Sequence, residues 1–254
     1  MPDALHYDQA FSLDGLTALI TGGASGIGFA IATAFAARGA RLALVDHDPG
    51  VLEAAARLGP QHVGLVVDVA AAGVPRRTVD EVAARLGRLD ILVNNAGIVR
   101  LAPASEASRD DWDLTLAVNL TAPFLFAQAA GPHMMARGSG RIINMASQAA
   151  TVALQSHVAY CTSKAAIVGM TKVLALEWGP YGITVNAISP TVVETELGRQ
   201  AWAGEVGDAM KKLIPSRRFA QPEEVALAAL YLASPAAAMV NGADLAIDGG
   251  YTIQ

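Results

Sequence analysis

The sequence predicts an α/β protein built on a doubly wound parallel sheet, and two observations support that prediction. Short β-rich runs alternate with longer helical patterns along the whole chain. Most of the short runs are continuously apolar, as strands covered by helices on both faces must be. Strand–helix–strand units repeated in this way form right-handed crossovers, so we expect one parallel sheet of about seven strands with helices on both faces.

The individual elements follow from these patterns in chain order. Apolar, β-rich runs predict strands at Leu16–Ile20, Arg41–Val45, His62–Val67, Leu89–Val93, Arg141–Ala146, Thr184–Ile188 and Leu245–Ile247. Helical periodicity between them predicts helices at Ile27–Arg38, Val74–Leu86, Arg109–Arg137, Ala159–Glu177 and Pro222–Ala233. The pattern is weakest over Thr195–Arg217, where we expect a flexible excursion. No linker, charge run or repeat divides the chain, so residues 1–254 are predicted to form a single domain.

The composition excludes some classes of protein. With 18 Lys and Arg against 23 Asp and Glu, the formal charge is −5, so the chain lacks the basic surface that nucleic-acid binding requires. Apolar residues make up 53% and charged residues only 16%, against about 25% charged in an ordinary soluble domain. This balance leaves either a membrane protein or a soluble protein with a deeply buried sheet and large subunit contacts.

Two uncharged windows test the membrane alternative. Gly15–Ala37 is long enough to cross a bilayer but contains five glycines, and Leu114–Ala136 is broken by asparagine, glutamine and two prolines. Both are more typical of segments buried inside protein. The N-terminus carries no basic region followed by an apolar one, and the one cysteine, Cys161, cannot form an internal disulfide. We therefore expect a soluble cytoplasmic protein without membrane or nucleic-acid partners.

A glycine-rich turn follows the first predicted strand. Thr21–Gly28 has the sequence TGGASGIG, and a helix is predicted to follow directly. Glycines at 22, 26 and 28 let the backbone approach a pyrophosphate, and the helix N-terminus offers N–H groups and a positive dipole end to the phosphates. This pattern is typical of a Rossmann-type dinucleotide site. The alternative is a glycine-rich turn that binds no ligand.

An acidic residue at the expected distance favours the dinucleotide interpretation. Asp46 ends the second predicted strand, 18 positions after Gly28. A carboxylate there accepts hydrogen bonds from the adenosine ribose hydroxyls and repels a 2′-phosphate. Ser25 and His47 occupy positions where an NADP site normally carries Arg or Lys. We predict NAD as the cofactor; the alternative is a solvated aspartate at a strand end.

A third group of residues indicates proton-transfer chemistry. Tyr160 and Lys164 lie four residues apart on one face of a predicted helix, and Ser147 follows a predicted strand at the sheet edge where α/β proteins bind ligands. A free phenol has a pKa of about 10. A neighbouring ammonium group favours the phenolate, so such a tyrosine can exchange a proton with an alcohol. The alternative is a surface pair that arises by chance.

With these motifs in place, the sequence resembles the short-chain dehydrogenase/reductase family over nearly its whole length. The matching segments stand in the family's order: TGGASGIG, Asp46, Asp68-Val69, NNAG at Asn94–Gly97, Asn119, Ser147, YCTSK at Tyr160–Lys164, and Asp248–Gly250. The resemblance implies that Tyr160 is the general acid/base and that Ser147 holds the substrate oxygen. It also implies that Lys164 binds the nicotinamide ribose and lowers the pKa of Tyr160, and that Asn119 holds a water linking Lys164 to solvent.

The resemblance also implies a set of cofactor-binding residues along the cleft. They are Gly22, Ser25, Gly26, Ile27, Gly28, Asp46, Asp68, Val69, Asn95, Ala96, Gly97, Tyr160, Lys164, Pro190, Val193 and Thr195. One departure lies beside them: the family usually has Gly after Pro190, whereas this chain has Thr191. The change should stiffen the loop and place a hydroxyl or methyl group near the nicotinamide and the substrate.

The substrate is predicted from the side chains expected beside the nicotinamide. They are mostly polar: Gln148, Gln155, His157 and Thr191, with Trp202 as a lid contact. A polar lining suits a substrate with several hydroxyls and rejects analogues that lack them. The segments FSLDG, AGIVRL, ALEW and AIDGGYTIQ resemble bacterial polyol (sugar-alcohol) dehydrogenases such as galactitol dehydrogenase, which implies oxidation of a secondary hydroxyl to a ketone. The alternative is a 3-oxoacyl-thioester reductase or another carbonyl reductase of the family.

Other functions fit the sequence less well. A catalytically inactive dinucleotide-binding regulator would not need Asn119, Ser147, Tyr160 and Lys164 together. Halohydrin dehalogenases carry Arg at the lysine position and lack the glycine motif. The chain has no hydrolase elbow, no P-loop and no metal-binding histidine pattern, so we expect no metal. The family resemblance and the low charge content imply a homotetramer, with a dimer as second choice.

Overall fold

The structure, a computed structural model, describes residues 9–253, so residues 1–8 and 254 of the predicted domain lie outside it. Seven strands form one parallel sheet in the order β3-β2-β1-β4-β5-β6-β7. The strands are β1 Thr17–Thr21, β2 Arg41–Asp46, β3 Val63–Val66, β4 Ile91–Asn94, β5 Gly140–Met145, β6 Ile183–Pro190 and β7 Asp244–Ile247. The predicted doubly wound α/β sheet is confirmed.

Helices cover both faces of the sheet. They are α1 Gly26–Ala36, α2 Gly50–Leu58, α3 Val74–Leu86, α4 Arg109–Leu116, α5 Ala122–Met135, α6 Val158–Trp178, α7 Glu196–Ala201, α8 Glu205–Leu213 and α9 Pro222–Ala233. Buried side chains of α1, α2 and α9 form one hydrophobic cluster, and those of α3, α5 and α6 form another.

The strands divide their side chains between these two clusters by simple alternation. In β1, Ala18 and Ile20 belong to the first cluster and Leu19 to the second. In β4, Ile91 and Val93 face the first cluster, whereas Leu92 faces the second. Because successive side chains of a strand point to opposite faces and both faces are covered, most positions in the middle of a strand are apolar. This explains why the strands are continuous apolar runs in the sequence.

The predicted elements and the observed ones differ in three places. The sequence prediction missed α2, although its buried residues Val51, Ala54 and Ala55 have helical spacing. It also predicts a flexible excursion over Thr195–Arg217, whereas the structure has helices α7 and α8 there. Helices α3 and α9 have the predicted bounds. The strand bounds agree within two residues at each end.

The predicted helix over Arg109–Arg137 is present as Arg109–Met135, but it is not a regular α-helix throughout. The helix changes to a π-helical turn at Ala117–Thr121, where the Ala122 N–H donates to the Ala117 carbonyl. Pro123 has no N–H with which to bond the Asn119 carbonyl, so the regular α-helical ladder cannot continue through this point. The widened turn contains the buried Asn119.

One helical stretch, Arg109–Met135, is long and apolar enough to span a bilayer by length and composition. More than half of its most apolar window is buried inside the protein. The other uncharged window, Gly15–Ala37, contains β1 and α1 of the core. The low charge content of both windows therefore follows from their place in the packed interior.

Buried amides join the strands that carry the candidate site to the helix behind them. Asn94 Nδ2, at the end of β4, donates to Asn144 Oδ1 of β5 over 2.8 Å. Asn144 Nδ2 in turn donates to the Thr171 hydroxyl of α6 over 2.9 Å. The network fixes α6 relative to the carboxyl ends of β4 and β5, where the chain forms its functional loops.

Candidate active site

The turn after β1 is held in place by residues that follow β4. Asn95 Nδ2 donates to the carbonyls of Thr21 and Gly22, both over 3.0 Å. The Thr21 hydroxyl accepts from the backbone N–H groups of Asn95 and Ala96, both over 3.1 Å. Asn95 and Ala96 therefore lie against the glycine-rich turn, and they position it as well as lining the cleft.

The glycines of this turn are required by close contacts. Gly22 has a φ of 67°, and a Cβ there would lie 2.8 Å from Asn95 Nδ2 and 2.9 Å from the Ala96 Cα. A Cβ on Gly28 would overlap the Gly22 carbonyl. Only glycine permits this approach of backbone to backbone. Backbone packing accounts for glycine at positions 22 and 28, and the predicted pyrophosphate contact stays a prediction.

The N-terminus of α1 can bind an anion. Ser25 is its N-cap residue, and the Ser25 side chain makes no capping hydrogen bond. The first N–H groups of a helix have no partner within the helix, and the helix dipole adds a positive potential there. A pyrophosphate fits this position between Gly22 and Ile27. Thr195, the N-cap of α7, faces the same turn, because its methyl group would lie 3.2 Å from a Cβ on Gly26.

Asp46 connects the end of β2 to the glycine-rich turn. Its Oδ2 accepts from the Ala24 N–H over 3.1 Å, and its Oδ1 accepts from the Asp48 N–H over 3.1 Å. His47 Nδ1 lies 3.1 Å from Asp46 Oδ1. The carboxylate is thus held at the edge of the cleft, with lone pairs left for further donors. Beyond β3, Asp68 is exposed and Val69 is buried.

The side chains that the sequence predicts to take part in proton transfer lie close together. The Ser147 hydroxyl hydrogen-bonds to the Tyr160 phenol oxygen, and Ser147 Oγ accepts from the Ala149 N–H over 3.1 Å. Lys164 Nζ is 5.6 Å from the centre of the Tyr160 ring and donates to the Met145 carbonyl over 2.7 Å. Ser147 and Lys164 are both buried. Two hydroxyls and an ammonium group therefore meet at the carboxyl end of β5.

The expected lowering of the Tyr160 pKa by Lys164 is not found in this structure. Burial raises the pKa of Tyr160 above its ordinary value, and the hydrogen bond from Ser147 offsets only part of that rise. Burial also lowers the pKa of Lys164 to about 8. The physical reason is that both groups are desolvated and that the ammonium group is turned toward the Met145 carbonyl.

Asn119 supports the site through the loop after β4. Its Oδ1 accepts from the Ile98 N–H and its Nδ2 donates to the Ile98 carbonyl, both over 2.8 Å. Nδ2 also lies 3.3 Å from the Ser163 hydroxyl. Gly97 is the point where this loop meets Lys164, because a Cβ there would be 3.4 Å from Asn119 Oδ1 and 3.7 Å from Lys164 Nζ.

The loop after β6 closes the cleft. Pro190 ends the strand, and the buried Val193 forms an isolated parallel bridge with Ala220. The Thr195 hydroxyl accepts from the Gly198 N–H over 3.0 Å and so begins α7. Thr191 is buried, and its hydroxyl has no hydrogen-bond partner within the described residues. Thr191 lines a cavity of about 330 Å³ together with Ser216, Arg218 and Asp248.

The residues predicted to contact substrate differ in their surroundings. Gln148 is buried and its Oε1 has no hydrogen-bond partner within residues 9–253, whereas Gln155 is exposed. The rings of His157 and Tyr160 meet edge to face with centres 6.1 Å apart. Trp202 packs edge to face on Phe219, with ring centres 6.2 Å apart. Both rings belong to a small hydrophobic cluster that includes other residues of the segment 195–217.

Sequence reasoning missed two supporting residues. Thr21 and Ser163 were not singled out, although both lie inside motifs that were recognised. The Ser163 hydroxyl donates to the Tyr160 carbonyl over 2.7 Å and lies next to Asn119. The motifs signal these positions, but a role that depends on a distant hydrogen-bond partner is not visible in them.

Comparison with known proteins places the chain among relatives of similar length. A family model described as Enoyl-(Acyl carrier protein) reductase matches residues 22–252. D-threitol dehydrogenase of Mycolicibacterium smegmatis is 60% identical over 98% of this chain and 98% of its own length. The NAD-dependent glycerol dehydrogenase of Listeria innocua is 50% identical, again over 98% of each chain.

Solved structures agree with these relatives. The gluconate 5-dehydrogenase of Burkholderia cenocepacia, in complex with NADP and tartrate, is 39% identical and superposes with a TM-score of 0.93 over 98% of this chain and 100% of its own. Fold, site geometry and similarity along almost the entire sequence thus lead to one assignment. The chain belongs to the short-chain dehydrogenase/reductase family.

Proposed function

We propose that this protein is an NAD-dependent dehydrogenase that reversibly oxidises a secondary hydroxyl of a polyol to the ketone. The observation that carries the proposal is the hydrogen-bonded pair of Ser147 and Tyr160 beside the buried Lys164. The names of the D-threitol and glycerol dehydrogenases that this chain resembles support a polyol as substrate. The free Cys161 is consistent with a reducing compartment, and we propose a cytoplasmic location.

The mechanism follows from the chemistry of the three side chains. In the oxidation, Ser147 holds the substrate oxygen by a hydrogen bond, and the Tyr160 phenolate accepts the hydroxyl proton. Bound NAD would supply the acceptor for the hydride from the carbon. Lys164 keeps positive charge beside Tyr160 below its pKa of about 8.

Because oxidation needs the phenolate and burial raises the Tyr160 pKa, the oxidation rate should rise with pH, whereas the reduction rate should fall.

The cofactor would be held along the cleft from α1 to the loop after β6. Gly22, Ser25, Gly26, Ile27 and Gly28 would hold the pyrophosphate, and Asp46 the adenosine ribose. Asp68, Val69 and the segment 95–97 would line the adenine side and the middle of the cleft. Pro190, Val193 and Thr195 would cover the nicotinamide end, where Tyr160 and Lys164 lie. Gln148, Gln155, His157, Thr191 and Trp202 remain the proposed substrate residues.

A second candidate is reduction of a 3-oxoacyl thioester. Its support is the acyl-carrier-protein thioester named in the description of the family model, although the enoyl reductase named there reduces a C=C bond and not a ketone. An acyl chain would call for a mainly apolar lining, however, whereas Gln148 and His157 lie beside the Ser147–Tyr160 pair. The first candidate predicts oxidation of polyols with NAD, and the second predicts reduction of acyl thioesters with NADPH.

The substrate class can be tested directly with purified protein. Four- to six-carbon polyols with NAD should produce NADH, followed by its absorbance, because the site supplies both the proton acceptor and polar partners for hydroxyls. Acetoacetyl thioesters with NADPH should give little turnover. The opposite result, with thioester reduction and no polyol oxidation, would overturn the proposal in favour of the second candidate.

Asp46 should set the preference for NAD over NADP. A carboxylate close to a 2′-phosphate costs several kcal/mol, so we expect kcat/KM to favour NAD by about a hundredfold or more. Asp46→Ala should narrow that ratio markedly. Asp48→Asn, which removes one negative charge two residues away, is the matched control and should leave the ratio unchanged. Equal efficiency of the unmodified protein with both cofactors would refute the assignment.

Tyr160 should be essential for turnover but not for cofactor binding. Tyr160→Phe keeps the ring and removes the proton-transfer group, so kcat should fall by about two to four orders of magnitude. NADH binding, followed by fluorescence, should persist because the phosphate and ribose contacts lie elsewhere. Tyr181→Phe, at an exposed tyrosine, is the control and should retain full activity. A Tyr160→Phe enzyme with most of its turnover would contradict the mechanism.

We also propose that the protein is a homotetramer. Large apolar side chains remain exposed on α6 and near the C-terminus, with Leu176 at 79%, Met239 at 95% and Ile253 at 84% exposure. Light scattering should therefore give four times the 26.2 kDa chain mass. Leu176→Glu should reduce that mass, whereas Leu52→Glu, at a residue 53% exposed on α2, should not. A monomer at micromolar concentration would refute the proposal.

A further inference from the structure

The His157 ring is held in one tautomer. Its Nδ1 lies 2.6 Å from the Gln155 carbonyl oxygen. A carbonyl can only accept a hydrogen bond, so Nδ1 must carry the proton. In the neutral imidazole Nε2 is then an acceptor, and no hydrogen bond to Nε2 is formed within residues 9–253.

The backbone on either side of His157 fixes the position of the ring. Ser156 has a φ of 63°, and within residues 9–253 only Ser156 and Arg217 combine a positive φ with a side chain. The Ala102 N–H donates to the Ser156 carbonyl over 3.1 Å, and Ala102 and His157 form an isolated parallel bridge. A strained residue persists where its surroundings determine its conformation, and such residues concentrate at functional sites.

His157 is adjacent to the reacting groups. The edge-to-face contact places its ring centre 6.1 Å from that of Tyr160. A substrate oxygen bonded to Ser147 and Tyr160 would bring the next carbon of the substrate, with its substituent, toward the imidazole. Gln148 follows Ser147 directly, and its buried Oε1 also has no partner within the described residues. His157 Nε2 therefore offers an acceptor beside the reacting carbon, whereas the Gln148 amide carries both an acceptor and a donor.

We propose that His157 is a specificity-determining residue whose Nε2 accepts a hydrogen bond from a hydroxyl on the carbon next to the one oxidised. The inference rests on the proposed function and narrows it: the preferred substrate is a vicinal diol with a free neighbouring hydroxyl. A neighbouring ether or ester oxygen can only accept hydrogen bonds, so it would face another acceptor. A site built to bond a hydroxyl rejects the analogue that lacks it.

Three alcohols with the same carbon chain test this inference. They are butane-2,3-diol, its mono-O-methyl ether and butan-2-ol, matched in configuration at the oxidised carbon, with NAD as acceptor. The ether keeps the neighbouring oxygen but cannot donate a hydrogen bond. We expect kcat/KM for the diol to exceed that for either analogue by about tenfold or more, the size of one well-made hydrogen bond in a site.

Two variants separate hydrogen bonding from a merely structural role. His157→Phe keeps the ring contact with Tyr160 and removes the acceptor, so the preference for the diol should fall about tenfold. His157→Gln restores an amide oxygen as acceptor and should recover part of the preference. A structural role would lower kcat/KM for all three alcohols equally and leave their ratio unchanged. NADH binding by fluorescence checks that each variant is folded.

The outcomes are distinguishable. An unmodified protein that oxidises the three alcohols equally well, or a His157→Phe variant that keeps the full diol preference, would overturn the inference and leave the proposed function intact. Should His157→Phe fail to bind NADH, the ratios of the unmodified protein and of His157→Gln decide the matter. No oxidation of any alcohol with NAD would overturn the proposed function itself, and this inference with it.

Discussion

The buried hydrogen bond between Asn94 and Asn144 is the interaction on which the geometry of the site depends. Asn94 ends β4, directly before the segment 95–97 that supports the glycine-rich turn, and Asn144 lies in β5, just before Ser147. Asn144 also bonds Thr171, which stands two helical turns beyond Lys164 on α6. One network of amides thus fixes the cofactor-side loop, the serine and the helix of the proton-transfer pair. A buried amide left without a partner costs about 1–3 kcal/mol, so the network resists rearrangement.

Desolvation governs the electrostatics of this centre. Burial raises the pKa of Tyr160 and lowers that of Lys164, so in the protein alone both groups are shifted toward their neutral forms. The Lys164 ammonium is satisfied by the Met145 carbonyl, which neutralises no charge. Below a pH of about 8 the site therefore holds an uncompensated cation close to a phenol. Negative charge that develops at the substrate oxygen or at Tyr160 during proton transfer would be stabilised there more strongly than in water, because the surroundings are dry and already oriented.

The sequence predicts the strands and the site motifs better than it predicts the supporting structure. Strands covered on both faces are continuously apolar, and the glycine, Asp46 and Tyr160 motifs are local patterns, so both can be found without coordinates. The π-helical turn at Asn119 is hidden inside an apolar helical run, and only Pro123 signals it. The hydrogen bond from Asn95 Nδ2 to the Gly22 carbonyl joins residues 73 positions apart. No local pattern encodes such a partner, nor the bond between Lys164 and the Met145 carbonyl, nor the burial that raises the Tyr160 pKa.

Buried oxygens without partners show where stability and function compete. Within residues 9–253 such oxygens include the hydroxyls of Thr17 and Thr184, at or near the starts of β1 and β6. They also include the Gln148 amide oxygen and the Thr191 hydroxyl, beyond the ends of β5 and β6. An unpaired buried oxygen is therefore not by itself a sign of a binding site. Gln148 differs because it follows Ser147 directly, at the sheet edge where parallel α/β proteins bind their ligands. The acceptor at His157 Nε2 has a different origin from the Gln148 oxygen. The Gln155 carbonyl holds the proton on Nδ1, and this leaves Nε2 as an acceptor. An acceptor held free by a local backbone contact, beside Ser147 and Tyr160, is better explained by a substrate that donates a hydrogen bond than by a chance imperfection of packing.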